Sequence, residues 1–150
     1  MFRGGVAVVG AGFMGPTHIE ALRRLGINVV GILDVTPEKS REAAQNIGLP
    51  RGYASFDEML ADPAVHCVHI TTPNKLHFGA ARAVLEAGRH VMCEKPLAMN
   101  STESAELVRI AAASGAVAGV NYNMRAYPLS VEARVRVQRG DIGDIFTVHG

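Results

Sequence analysis

The sequence predicts an α/β domain built on a doubly wound parallel sheet. Three observations carry this. Short apolar runs alternate with segments of helical periodicity from residue 5 to about residue 120; the first run ends in a glycine cluster that opens a helix; and the polar segments with chemical potential fall at the carboxyl ends of the apolar runs. Buried strands joined by helices pair in parallel, and such sheets take their ligands at the carboxyl ends of the strands, near the point where strand order reverses.

The elements follow in order. Residues 5–9 form a fully apolar first strand, and a helix is expected over 15–25, where Pro16 is tolerated because a first-turn residue has no intrahelical partner for its N–H. Residues 28–33 form the second strand, closed by Asp34. Thr36-Pro37-Glu38 then supplies an N-cap, a first-turn proline and an acid favoured by the helix dipole, and Gly48 stops that helix after Ile47. Tyr53 is read as a very short third strand. Ser55 and Glu58 make a capping box for a short helix that Asp62-Pro63 breaks. The fourth strand is 65–70, the next helix 76–87 with Gly88 as its stop, and the fifth strand 90–93. Asn100 caps a helix that ends near Gly115, and residues 117–120 make a sixth strand. A last helix is expected over 128–139, a turn over 140–144, and a new alternating strand over 145–149. Residues 1–123 are read as one doubly wound domain, and because a lone apolar strand needs a neighbour, 145–149 is read as opening a second domain, with an edge strand added to the main sheet as the alternative. Residues 124–150 are read as the linker helix and first strand of a second, α+β domain cut off at the C-terminus.

Composition narrows the function. The 150 residues are 48% hydrophobic and 19% charged, which suits a folded globular domain. A net charge of +1 gives no electrostatic reason to expect nucleic acid or a membrane surface as partner, and no apolar run reaches the ~18 residues that span a bilayer. The run from residue 6 to 15 lacks the cleavage site of a signal peptide. Cys67 and Cys93 both fall in expected strands; they are read as reduced core thiols of a cytoplasmic protein, with a redox pair in neighbouring strands as the alternative.

Gly10-Ala11-Gly12-Phe13-Met14-Gly15 is a G-x-G-x-x-G pattern in its required context, after a strand and at the opening of a helix. Gly10 permits the tight turn, Gly12 lets backbone approach a pyrophosphate, and Gly15 lets the helix pack closely on the strand, while the free N–H groups of the helix start hold the phosphates. Asp34, about 20 residues further on, is placed to accept hydrogen bonds from the adenosine ribose and to repel a 2′-phosphate, which favours NAD over NADP. Lys39 and Arg41 are assigned to the solvated face of the following helix. Thr71, Thr72, Pro73 and Asn74 form a wall beside the cofactor. This is the pattern of a Rossmann domain.

The segment from Ala87 to Ala98, with Glu94-Lys95-Pro96 at its centre, resembles the signature of the Gfo/Idh/MocA oxidoreductases. Thr72-Pro73-Asn74 followed by His77, and the closing Asn121-Tyr122-Asn123-Met124-Arg125, are similar to that family too, so the likeness covers nearly the whole chain. The resemblance implies hydride transfer between a nicotinamide cofactor and a sugar, inositol or related polyol. It implies a second domain with a large, mostly antiparallel sheet that holds the usual Asp and His acid/base residues and through which subunits associate into a homo-oligomer. It places Lys95 near the nicotinamide ribose and the reacting oxygen, as the catalytic residue, and implies a cis Lys95-Pro96 bond. Cofactor contacts are then expected from Gly10, Gly12, Phe13, Met14, Gly15, Asp34, Thr71, Thr72, Pro73, Asn74, His77, Glu94, Lys95, Asn121 and Arg125.

Physically, an ammonium at Lys95 stabilises a developing alkoxide, and desolvation beside other positive charge eases loss of its proton. Glu94 is read as an orienting partner rather than a general base. His77 either faces the cofactor or is a structural histidine, and Arg125 reaches either the nicotinamide end or the second domain. The six histidines (His18, His66, His69, His77, His90, His149) show no helical metal-pair spacing, and no metal site is expected. The reading is therefore the nucleotide-binding part of an NAD-dependent oxidoreductase, inactive by itself. The alternative is a non-catalytic dinucleotide-binding module or sensor, which has no need of Glu-Lys-Pro.

Overall fold

A computed structural model describes residues 4–149. Five strands, β1 (Gly5–Val9), β2 (Val29–Leu33), β3 (Val65–Ile70), β4 (His90–Glu94) and β5 (Ala118–Asn121), form one sheet in the order β2-β1-β3-β4-β5. Every pairing is parallel. The helices are α1 (Met14–Arg24), α2 (Pro37–Ile47), α3 (Phe56–Ala61), α4 (His77–Glu86), α5 (Ser101–Ser114) and α6 (Pro128–Arg139), with 3₁₀ turns at Asn74–Leu76 and Asn123–Ala126.

Helices lie on both faces of the sheet; β1 is apolar and buried throughout, whereas β3 carries His66 and His69 among its apolar residues. On one face Ile19 and Leu22 of α1 and Ala44 of α2 pack on Val6, Val8 and Ile32. On the other, Met59 of α3, Ala81, Val84 and Leu85 of α4, and Leu107 and Ile110 of α5 pack on Ala7, Val9, Val68 and Ile70. Burial of each large aliphatic side chain contributes about 1.5–3 kcal/mol. The expected caps all form: Thr36, Ser55 and Asn100 side chains accept from the N–H groups of Lys39, Glu58 and Glu103. Gly48 and Gly115 close α2 and α5 in the left-handed conformation.

Two expected strands do not form. Around Tyr53 only one parallel bridge joins Ile32 to Gly52, secured by Ile32 N–H to Arg51 O and Tyr53 N–H to Ile32 O. The Gly52 backbone is pressed against that of Ser40, and the Ser55 cap opens α3 three residues later, so no room is left for a ladder. Tyr53 is instead a fully buried core residue, its hydroxyl donating to Asp62 at 2.9 Å. Residues 145–149 run beside no strand among the described residues; Phe146 and Val148 are 93% and 84% exposed, and with no partner for its backbone the segment stays irregular. The sheet thus has five strands rather than six.

Chain order sets the switch point. From β1 the chain crosses to β2 on one side and returns to β3 on the other, so the carboxyl ends of β1 and β3 diverge around a crevice.

Candidate functional site

The crevice is a cleft of about 610 Å³. Gly10, Gly12, Phe13 and Met14 form its floor; Leu33, Asp34 and Val35 form one wall and Thr71, Thr72 and Pro73 the other. Gly10 and Gly15 show the tight turn and the close packing that their spacing implies. Gly10 has φ +101°, a conformation that side chains rarely adopt, and a Cβ on Gly15 would collide with the Gly10 carbonyl. A Cβ on Gly12 would meet nothing within 4 Å, because it would point into the cleft. Thr71 fastens the two strand ends together: its N–H and hydroxyl both reach the Val9 carbonyl at 2.9 Å, and the hydroxyl also reaches Gly10 O.

Three features mark the cleft as built for a polar ligand. Helix α1 opens on it without a side-chain cap, as α4 and α6 also begin, and its first turn has no acid to compete with an anion. The Thr72 hydroxyl is buried with no partner among the described residues. Asp34 spends Oδ1 on the Val35 N–H (2.8 Å), while its own N–H donates to Ser40 Oγ; Oδ2 has no protein donor among the described residues. Lys39, expected on a solvated face, also lines the cleft, whereas Arg41 pairs with Glu38 at 2.9 Å. A free carboxylate oxygen, uncapped helix N–H groups, a glycine that leaves room and an orphaned hydroxyl together fit a dinucleotide.

The remaining candidate residues lie beside the cleft. His77 is fully buried behind the wall, its ring nitrogens on the carbonyl oxygens of Pro96 (2.6 Å) and Thr72 (2.9 Å), so it ties two loops together. Asn74 is exposed on its 3₁₀ turn, and Arg125 is exposed on the one at Asn123–Ala126. Lys95 follows β4 with its side chain exposed rather than in the desolvated setting expected for it. The Lys95-Pro96 bond is cis, as the resemblance implied.

Glu94 anchors a network that sequence reasoning missed. Its Oε1 accepts from His18 Nε2 (3.0 Å) and Asn121 Nδ2 (2.6 Å), and its Oε2 accepts from the Lys95 N–H (3.2 Å). His18 Nδ1 lies 3.0 Å from His69 Nδ1. Burial alone would raise the Glu94 pKa, but the donors Asn121, His18 and the Lys95 amide hold it below the ordinary glutamate value. Burial, with the neighbouring His18, pushes His69 down to about 4. Cys67 and Cys93 are free and lie in the two separate cores, one on each face of the sheet; burial raises them to about 11 and about 12, the latter helped by Glu94. Among the described residues no group of three or more His, Cys, Asp or Glu side chains is placed to hold a metal ion, and no helix is long and apolar enough to cross a membrane.

Fold and cleft together define a dinucleotide-binding α/β domain of the Rossmann type. Residues 5–122 match the family described as "Oxidoreductase family, NAD-binding Rossmann fold", and the chain belongs to that Gfo/Idh/MocA family as its NAD-binding domain. Levoglucosan dehydrogenase of Pseudarthrobacter phenanthrenivorans is 34% identical over 97% of this chain and 40% of its own length. The 1,5-anhydro-D-fructose reductase of Ensifer adhaerens is 34% identical over 83% of this chain and 38% of its own. A levoglucosan dehydrogenase structure in complex with NADH and levoglucosan superposes with a TM-score of 0.89 at 33% identity, covering 96% of this chain and 41% of that one. The chain therefore spans about two-fifths of the length of these relatives.

Proposed function

We propose that this chain binds NAD(H) in the cleft at the β1–β3 switch point and serves a dehydrogenase or reductase acting on a sugar, inositol or related polyol. The observation that carries this is the cleft itself, where the uncapped α1, the space beside Gly12 and the unpartnered Thr72 hydroxyl share one crevice with Asp34. Relatives named for NADH complexes and for sugar or polyol substrates support it. A nicotinamide dinucleotide supplies the hydride acceptor or donor.

The chain's own residues do the rest. The α1 N–H groups hold the pyrophosphate, and Asp34 Oδ2 accepts from the adenosine ribose and disfavours a 2′-phosphate, so NAD is preferred although Lys39 is close. Thr72, Pro73 and Asn74 wall the cofactor, while Thr71 and His77 hold that wall from behind. Lys95 steadies negative charge on the reacting substrate oxygen through its ammonium, with Glu94 and Asn121 orienting the segment and Arg125 serving the nicotinamide end. Among the described residues that line the cleft Asp34 is the one carboxylate, at the adenosine wall, so proton transfer falls to the second domain implied by the resemblance, and the 150 residues alone bind without turnover. Association of subunits and a cytoplasmic location belong to this same reading. Asp34→Ala tests it: NADH binding is expected to weaken about tenfold, the loss of one strong charge-assisted contact, and the preference over NADPH to narrow. An unchanged preference in calorimetric titration would remove Asp34 from the ribose.

A further inference from the structure

We infer that His18 is a positioning residue for the Glu94–Lys95 segment, locked in place by His69. This rests on the cofactor reading above and extends it to residues outside the cleft.

The geometry is specific. His18 is buried on α1, one turn beyond the glycine loop, between Gly15 and the packed Ile19 and Leu22. Its ring spans two strands, reaching Glu94 at the end of β4 through Nε2 and His69 of β3 through Nδ1. A carboxylate only accepts, so Nε2 carries the proton toward Glu94. The Nδ1–Nδ1 contact at 3.0 Å then holds one proton between the two imidazoles, and the rings meet edge to face, 86° apart with centroids at 5.1 Å. His69 thereby fixes the orientation in which His18 meets Glu94.

Glu94 passes the constraint on. With Oε1 held by His18 and Asn121, Oε2 is left to the Lys95 backbone N–H. One histidine thus links the helix that opens on the glycine loop to the strand end that presents the exposed Lys95. Helix α1 stays seated by Ile19 and Leu22 without the imidazole. Loss of the ring therefore leaves the glycine-loop end intact and disturbs the Glu94–Lys95 end, where a buried carboxylate loses a donor.

Two ligands separate the two ends: ADP-ribose, which lacks nicotinamide, and NADH. In His18→Leu, NADH affinity is expected to fall about tenfold while ADP-ribose affinity stays within about twofold; His18→Gln, which keeps an N–H donor, recovers most of the loss. His69→Leu, which frees the His18 ring, shows the same split at smaller size and serves if His18→Leu does not fold. Parallel loss of both ligands, no loss, or failure of glutamine to rescue overturns the positioning role while leaving the cofactor reading intact. A wild-type chain that binds neither ligand overturns the cofactor reading, and the positioning role with it.

Discussion

Asp34 and His69 show how one side chain's surroundings decide its task. Asp34 keeps one carboxylate oxygen for a neighbouring N–H and, at the cleft it lines, leaves the other for the ribose contact proposed above. His69 is a stability element with a pH signature. Its folded pKa of about 4 lies below the ordinary 6.5, so the unfolded chain takes up the proton first. Stability is full above about pH 6.5 and falls as pH drops toward 4, by up to about 3 kcal/mol for a shift of this size. Glu94, with its pKa lowered, adds a second loss as pH falls below its ordinary 4.5. Thermal unfolding between pH 7 and pH 4 is expected to show this decline, and His69→Leu to flatten it between pH 6.5 and 4; an equal slope in the variant would assign the decline elsewhere. The contacts of His69 and of His18 with Glu94 had no signal in the sequence. His18 lies 51 residues from His69, 76 from Glu94 and 103 from Asn121, and only the sheet order brings them together. Histidines tested for helical metal spacing look unrelated because their relation is tertiary.

At the scale of elements, local chemistry reads well and register does not. Thr36, Ser55 and Asn100 cap helices as their sequence neighbourhoods foretell, because a cap is settled within four residues. The glycine loop was equally legible, and its parts are separable by experiment. A Cβ on Gly15 would collide with backbone, one on Gly12 would enter the cleft. Gly15→Ala is therefore expected to cost about 1–3 kcal/mol of stability in urea or thermal melts, the range for overpacking. Gly12→Ala is expected to melt like the wild type and lose about tenfold or more in NADH affinity, as a methyl group occupies ligand space. Equal effects on melting would show that Gly12 has no special relation to the ligand. The strand at Tyr53 misled for the opposite reason: its one bridge depends on how closely Gly52 meets Ser40, a tertiary contact with no local signal.

Across the molecule, the sheet and the C-terminal segment form two regimes. Strands β1 and β3 are central and contribute buried residues to the core, while α6 has no buried residue and packs mainly against the preceding 3₁₀ turn. A 12-residue helix is marginal without tertiary packing. Hydrogen exchange is expected to be slowest in β1 and β3 and faster by orders of magnitude in residues 128–139; comparable protection would reveal a partner for α6. The segment's alternation suggested a strand at 145–149, but a strand is a property of a pair, and the described residues contain no second member. Apart from Tyr53, the order of strands and helices over residues 5–121 could be read because each doubly wound unit is built from neighbours in sequence.

The proposed nicotinamide-dinucleotide site lies in the cleft between the β1 and β3 ends, with Asp34 at the ribose. Calorimetric titration of the chain with NADH and then NADPH tests this directly. One site per chain is expected, with NADH bound about tenfold or more tightly than NADPH, because the 2′-phosphate would meet the Asp34 carboxylate. Absence of binding by either, or NADPH bound as tightly as NADH, would contradict it.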